Sequence, residues 1–183
     1  MEQKDYINEI IIFLLREQEG YIRGIAKELN INHMTIQRKM AELFSKNVVD
    51  FKEEGRNKVY FLRNTIEAKN YVYIAENYKL LRVLIKYPEL RRIIEKIQTD
   101  KRIKLAILFG SYSKGIARKE SDIDIFIETG NRDVKRELNM LDSKLSIKIG
   151  KYKRESLLIK EIKKNHVIIK GIEEYYEKNK FFK

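Results

Sequence analysis

Between Thr65 and Lys86 the chain has neither proline nor glycine, and Tyr71, Ile74, Tyr78, Leu81 and Ile85 alternate spacings of three and four. Only an α-helix brings residues so spaced to one side, so a long helix separates two regions of different periodicity. Its apolar stripe serves either intramolecular packing or a homodimer seam. Pro88 is placed to open a further helix, with Leu90, Ile93, Ile94 and Ile97 on its apolar face. The expected organisation is a first domain over residues 1–64, linker helices over 65–99 and a second domain over 100–183.

In the first domain Ile7, Ile10, Ile11, Leu14 and Leu15 mark a core helix, which Gly20 is expected to end. Ile22, Ile25, Ala26 and Leu29 mark a short second helix. "NIN" makes a turn with Asn32 as N-cap, and Ile36, Met40, Leu43 and Phe44 carry a third helix. Two alternating β-branched and aromatic segments follow, "VVDF" and "KVYFL", joined by "KEEGRN", whose Gly55 suits a tight hairpin turn.

Three helices followed by a hairpin resemble a winged helix-turn-helix. That resemblance implies DNA contacts from the exposed face of the third helix, Met34, Thr35 and Arg38 flanked by Gln37 and Lys39, with Arg56 and Lys58 reaching phosphates from the wing. Winged helices also serve as protein-docking or dimerisation modules, and residues 1–64 hold 11 basic and 10 acidic side chains, close to neutral.

The excess charge lies elsewhere. Of a net +12, most comes from residues 101–183, which hold 21 basic and 12 acidic side chains, densest across residues 144–164. That half should attract a polyanion. The absence of cysteine excludes disulfides and thiolate metal sites, and the two histidines, His33 and His166, are far apart in sequence. Any metal is therefore expected on oxygen ligands. No apolar run reaches the roughly 18 residues of a membrane span, and the acidic, helical N-terminus is unlike a signal peptide, so a cytoplasmic protein without membrane contact is expected.

Residues 104–110, "KLAILFG", read as a buried strand, and residues 122–128, "DIDIFIE", alternate acid and isoleucine before becoming wholly apolar. Period two places Asp122 and Asp124 on one face, about 7 Å apart by strand rise. Two such carboxylates repel unless a hard cation lies between them, and Mg²⁺, which takes oxygen ligands and shares them with substrate phosphates, fits. Gly110 and Ser111 after the first strand give a backbone that a phosphate can approach closely.

Gly110-Ser111, ten intervening residues and Asp122-Ile123-Asp124 together resemble the signature of the minimal nucleotidyltransferases of the polymerase β superfamily. The ending "NHVIIKGIEEYYE" is similar to the last strand and helix of archaeal members. The resemblance implies an α+β fold: a winged helix, linker helices and a C-terminal mixed sheet flanked by helices at 131–143 and 155–164, with a strand at 145–152. It also implies that Gly110 and Ser111 hold a nucleoside triphosphate, ATP first among them, and that Asp122 and Asp124 are catalytic ligands of Mg²⁺. Nucleoside monophosphate would pass to an RNA or protein hydroxyl; the nearby Lys114, Arg118 and Lys119 either contact phosphates or acceptor or are solvated loop positions.

One position departs from that pattern. Active relatives carry a third carboxylate on the next strand, here "LSIKIGKYK", where Ser146 or Lys148 stands instead, while Asp142 and Glu155 only flank it. Fold and catalysis are thus separate expectations. The alternatives to an Mg²⁺-dependent transferase are a DNA-binding regulator with a degenerate, nucleotide-binding transferase domain, or an antitoxin-like partner of another protein.

Overall fold

The computed structural model describes residues 5–182; the first four residues of the acidic N-terminus and Lys183 lie outside them. The described residues form two compact units, one running to Ala75 and including Phe182, the other Glu76–Phe181. The division falls inside the long helix.

In the first unit, helix α1 (Tyr6–Glu17) starts at Asp5, whose carboxylate accepts from the Ile7 and Asn8 amides at 3.1 and 3.3 Å. It ends before the expected glycine. Gln18 takes a φ of 69° and its amide donates to the Leu14 carbonyl, so a polar residue in positive φ ends the helix. Gly20 instead lies in a short strand β1 (Glu19–Tyr21), where a Cβ would stand 2.7 Å from the Phe13 ring.

Helices α2 (Ile22–Leu29) and α3 (His33–Ser45) follow, with the Asn32 side chain capping α3 by accepting from the Met34 amide at 2.8 Å. Ile36, Met40 and Leu43 are buried, but Phe44 is 39% exposed. It lies beside that stripe and tilts onto Phe51, which in turn packs on Tyr60. Strands β2 (Val49–Glu54) and β3 (Asn57–Leu62) pair from Glu54 and Asn57 outward, leaving a two-residue turn with Gly55 at φ 61°. The three-stranded sheet β1-β3-β2 completes a winged-helix arrangement.

Helix α4 (Ile66–Lys86) is apolar on two opposite sides. Ala68, Val72, Ala75, Val83 and, just beyond its end, Tyr87 are buried, whereas Ile74, Leu81 and Ile85 of the stripe read from sequence are 54 to 57% exposed. Packing within the chain therefore uses the other stripe. A 3-10 turn (Pro88–Leu90) leads into α5 (Arg91–Thr99), whose Ile93, Ile94 and Ile97 join the core of the second unit.

That unit is built on β4 (Leu105–Phe109), β5 (Ile123–Glu128), β6 (Leu145–Ile149) and β7 (Val167–Lys170), in the spatial order β6-β5-β4-β7. Among the described residues only β5 and β6 run parallel. Ala106, Leu108, Ile123, Ile125, Ile127, Leu145, Ile147, Val167 and Ile169 turn one face into a core shared with α5 and with α7 (Asp133–Asn139). On the other face Phe126 meets the Tyr152 ring, which meets Tyr175. Helix α6 (Gly110–Ser113) follows β4, α8 (Leu157–Lys164) follows β6, and α9 (Ile172–Asn179) follows β7. The molecule is thus α+β, with a mixed sheet flanked by helices.

Three elements are shorter than expected. Helix α7 ends at Asn139 because Leu141 closes a tight turn onto Leu138 and Asp142 then accepts from the Lys144 amide. Strand β6 ends at Ile149, so Tyr152 is free to swing onto Phe126, and Ser156 rather than Glu155 precedes α8, capping it through Ile159. Among the described residues no helix is long and apolar enough to cross a membrane.

The second unit also buries an ionic group. Glu76 is 1% exposed, accepts from the Tyr176 hydroxyl at 2.7 Å and pairs with Lys79 at 2.9 Å. Burial acts to raise its pKa, but Lys79, His166 and Tyr176 together outweigh it and hold the carboxyl below its usual range. His166 keeps some solvent contact overall, yet its Nε2 is sealed without a hydrogen-bond partner. Burial and then Lys79 push it down to about 4, against the pull of Glu76.

The unfolded histidine, near 6.5, therefore takes its proton first as pH falls. Its stabilising contribution is complete above about 6.5 and is lost as pH drops towards 4, by up to about 3 kcal/mol. Urea melts at pH 7 and 4.5 should show this loss, and His166→Gln should flatten it. Equal slopes in both proteins would exclude His166 as its source.

Candidate functional site

Strand β5 is anchored by Ile123, Ile125 and Ile127 in the core, so the alternate positions Asp122 and Asp124 face away from it. Asp122 is exposed one residue before the strand, and Asp124 is half-buried within it. Register fixes the neighbours of Asp124: Phe109 on β4 and Ser146 on β6. Lys148 lies opposite Phe126, one pleat further along that face, and is exposed. The position beside Asp124 is therefore Ser146. Asp142 is engaged with the Lys144 amide, and Glu155 is exposed and paired with Lys160 at 3.4 Å.

Gly110, the first residue of α6 (Gly110–Ser113) directly after β4, has φ 73°, and a Cβ there would stand 2.5 Å from Asp124 Oδ2. The glycine is thus required twice, by backbone conformation and by the carboxylate beside it. Ser111 is half-buried in the single turn of α6. The Ser113 hydroxyl donates to the Gly110 carbonyl at 3.0 Å and also contacts the Asn165 carbonyl at 3.3 Å, tying this turn to the entry of β7. Gly110, Ser111 and the two aspartates are accordingly brought to one end of the sheet.

The connection to β5 is pinned at several points that residue spacing does not reveal. Lys86 Nζ donates to the Gly115 carbonyl at 2.6 Å, and the Ala117 amide donates to the Tyr87 hydroxyl at 3.1 Å. The Ser121 hydroxyl accepts from the Arg118 amide, and Lys144 Nζ donates to the Lys119 carbonyl. Lys114, Arg118 and Lys119 have exposed side chains around this loop. No periodicity or turn signal in the sequence marks the end of α4 as a neighbour of this loop.

The donor set suits one Mg²⁺ shared with substrate phosphates, since that ion is commonly held by one or two carboxylates plus phosphate oxygens. It does not supply a further carboxylate for a second ion: among the described residues no group of three or more metal-ligating side chains occurs.

In the first unit Gln37 and Arg38 are exposed on α3, Thr35 is half-buried, and Met34 is 60% exposed. Lys39 pairs with Glu42 at 2.8 Å, which also binds Lys46. At the wing Arg56 is exposed, and Lys58 lies 3.9 Å above the Phe51 ring. Arg38 and Arg56 are thus more available to a ligand than the two lysines.

Residues 91–175 match the family model described as polymerase beta, nucleotidyltransferase, and this segment is a nucleotidyltransferase-type domain. Among solved structures, the chain is similar to the adhesin competence repressor AdcR of Streptococcus pyogenes at 18% identity and a TM-score of 0.39, over 49% of this chain and 68% of that one. It is similar also to Sso10a-2, a DNA-binding protein from Sulfolobus solfataricus, at 18% identity and a TM-score of 0.38, over 53% of this chain and all of that one. No match was found among curated proteins.

Proposed function

We propose that the second unit is an Mg²⁺-dependent nucleotidyltransferase, passing nucleoside monophosphate from a triphosphate, ATP first among candidates, to an RNA or protein hydroxyl with release of pyrophosphate. The observation that carries this reading is the placement of Asp124 against Gly110, at the end of a sheet whose segment matches the nucleotidyltransferase family. Asp122 and Asp124 would hold Mg²⁺, which when bound neutralises phosphate charge and lowers the pKa of the attacking hydroxyl. Gly110 leaves room for the triphosphate against the backbone, Ser111 offers a hydroxyl to it, and the lysines beyond residue 144 draw in an anionic acceptor.

The test is transfer of label from α-labelled nucleoside triphosphates into RNA and protein of the source cell. Label that depends on both aspartates supports the reading. Absence of label, with Mg-nucleotide still bound, overturns transfer and favours the second reading: a DNA-binding regulator whose transferase domain only binds nucleotide. Ser146 and Lys148 on β6, where a third carboxylate would stand, support that alternative.

The first unit is proposed to bind DNA through α3 and the wing. Arg38→Ala should weaken binding about tenfold, consistent with losing one good base contact. A gel-shift series at fixed salt measures this, and unchanged affinity would remove α3 from the interface.

A further inference from the structure

We propose that Tyr87 is a positioning residue for nucleotide binding, acting through the loop that follows Gly110 and Ser111. This rests on the reading of that loop as the triphosphate site. Tyr87 precedes the segment that matches the nucleotidyltransferase family, which begins at residue 91. It is 8% exposed and makes two contacts with the loop.

Its ring packs edge-on against Tyr112 at 4.8 Å, and Tyr112, 3% exposed, is the core anchor of the turn carrying Ser111. Its hydroxyl accepts from the Ala117 amide at 3.1 Å. Between these contacts the backbone folds back on itself: the Gly115 amide donates to the Tyr112 carbonyl and the Ile116 amide to the Ser111 carbonyl, both at 3.1 Å. Gly115 adopts φ 71°, and its carbonyl receives Lys86 Nζ at 2.6 Å.

The Ser111 carbonyl is therefore one bond from a residue whose neighbour, Ala117, is held by Tyr87. A triphosphate cradle made of main-chain groups binds well only when those groups are already oriented, because ordering a free loop subtracts from affinity. Tyr87 supplies that order from outside the loop. Lys86 reinforces it from the exposed side, where its bond to the Gly115 carbonyl is more readily exchanged for water.

Tyr87→Phe keeps the ring against Tyr112 and removes only the hydroxyl. Titration of the full chain with Mg-ATP should show the dissociation constant raised about fivefold to tenfold. If transfer is observed, KM should rise by a similar factor with kcat little changed. Hydrogen exchange should be faster at the Gly115–Ala117 amides and unchanged in β4 and β5, and the melting temperature should stay within about 2 °C of the parent. A variant that merely loosened the fold would instead lose β4 protection and melt early, which would overturn the assignment.

Equal affinity and equal exchange in Tyr87→Phe and the parent would also overturn it, while leaving the nucleotide site standing. If the parent itself binds no nucleotide, the nucleotidyltransferase reading falls and the positioning role falls with it.

Discussion

Asp124→Asn is expected to reduce nucleotide transfer by about a thousandfold or more, with little change in stability. The substitution preserves the shape that fits against Gly110 and removes the negative charge that a hard cation requires. Loss of a residue that merely orients a ligand typically costs 10- to 100-fold, so loss of a direct ligand should exceed that. The strand positions flanking Asp124 offer no replacement carboxylate: its β4 partner is Phe109 and its β6 partner is Ser146. Initial rates at saturating Mg²⁺ and nucleotide, together with thermal melts, measure both halves of the expectation. A variant with more than a tenth of the parent rate would mean that Asp124 does not bind the metal of the reaction.

Gly171→Ala is expected to destabilise the second unit by about 3 kcal/mol or more. The residue joins β7 to α9 at φ 81°, where a side chain costs about 1–2 kcal/mol by conformation alone. Its Cβ would stand 2.3 Å from the Lys104 carbonyl oxygen and 3.2 Å from the Leu105 Cα. Those atoms are backbone leading into β4, an interior strand of the sheet, so they cannot rotate away as a side chain would. Overpacking of this kind adds about 1–3 kcal/mol. Gly130, with nothing within 4 Å of its missing Cβ, is the control within the same unit. Denaturant melts should separate the two alanine variants clearly, and coincident curves would show that β4 yields more easily than its hydrogen bonding implies.

What was legible in the sequence was local. The three helices, the Gly55 hairpin and the alternation through Asp122 and Asp124 are each written in a periodicity or turn signal that acts over a few residues. Strand β1 carries no such signal, because "EGY" is too short to alternate and exists through its pairing with β3. Phe44 continues the apolar spacing of α3 yet lies at its margin, since only the hairpin opposite decides where the buried face ends.

The candidate site divides in the same way. The Gly-Ser pair and both aspartates are visible in sequence, whereas the choice between Ser146 and Lys148 as the neighbour of Asp124 depends on the register of β5 against β6, which is non-local. The Gly110 signal was readable as flexibility. The stronger constraint, contact with a carboxylate 14 positions later, appears only in three dimensions. The division of the chain inside α4 was likewise hidden, because an unbroken helix gives no sign of where its buried side changes partners.

Strand β6 lies at one edge of its sheet, with β5 on one side only. Among the described residues its other side leaves backbone donors and acceptors without a strand partner, the geometry by which separate molecules join into extended aggregates. Lys148 is exposed near the end of this otherwise apolar and hydroxyl-bearing strand, and Lys144 and Lys151 flank it in sequence. The charge at 148, one pleat away from Asp124, is therefore well suited to keeping molecules apart, a role independent of any chemistry at the carboxylates.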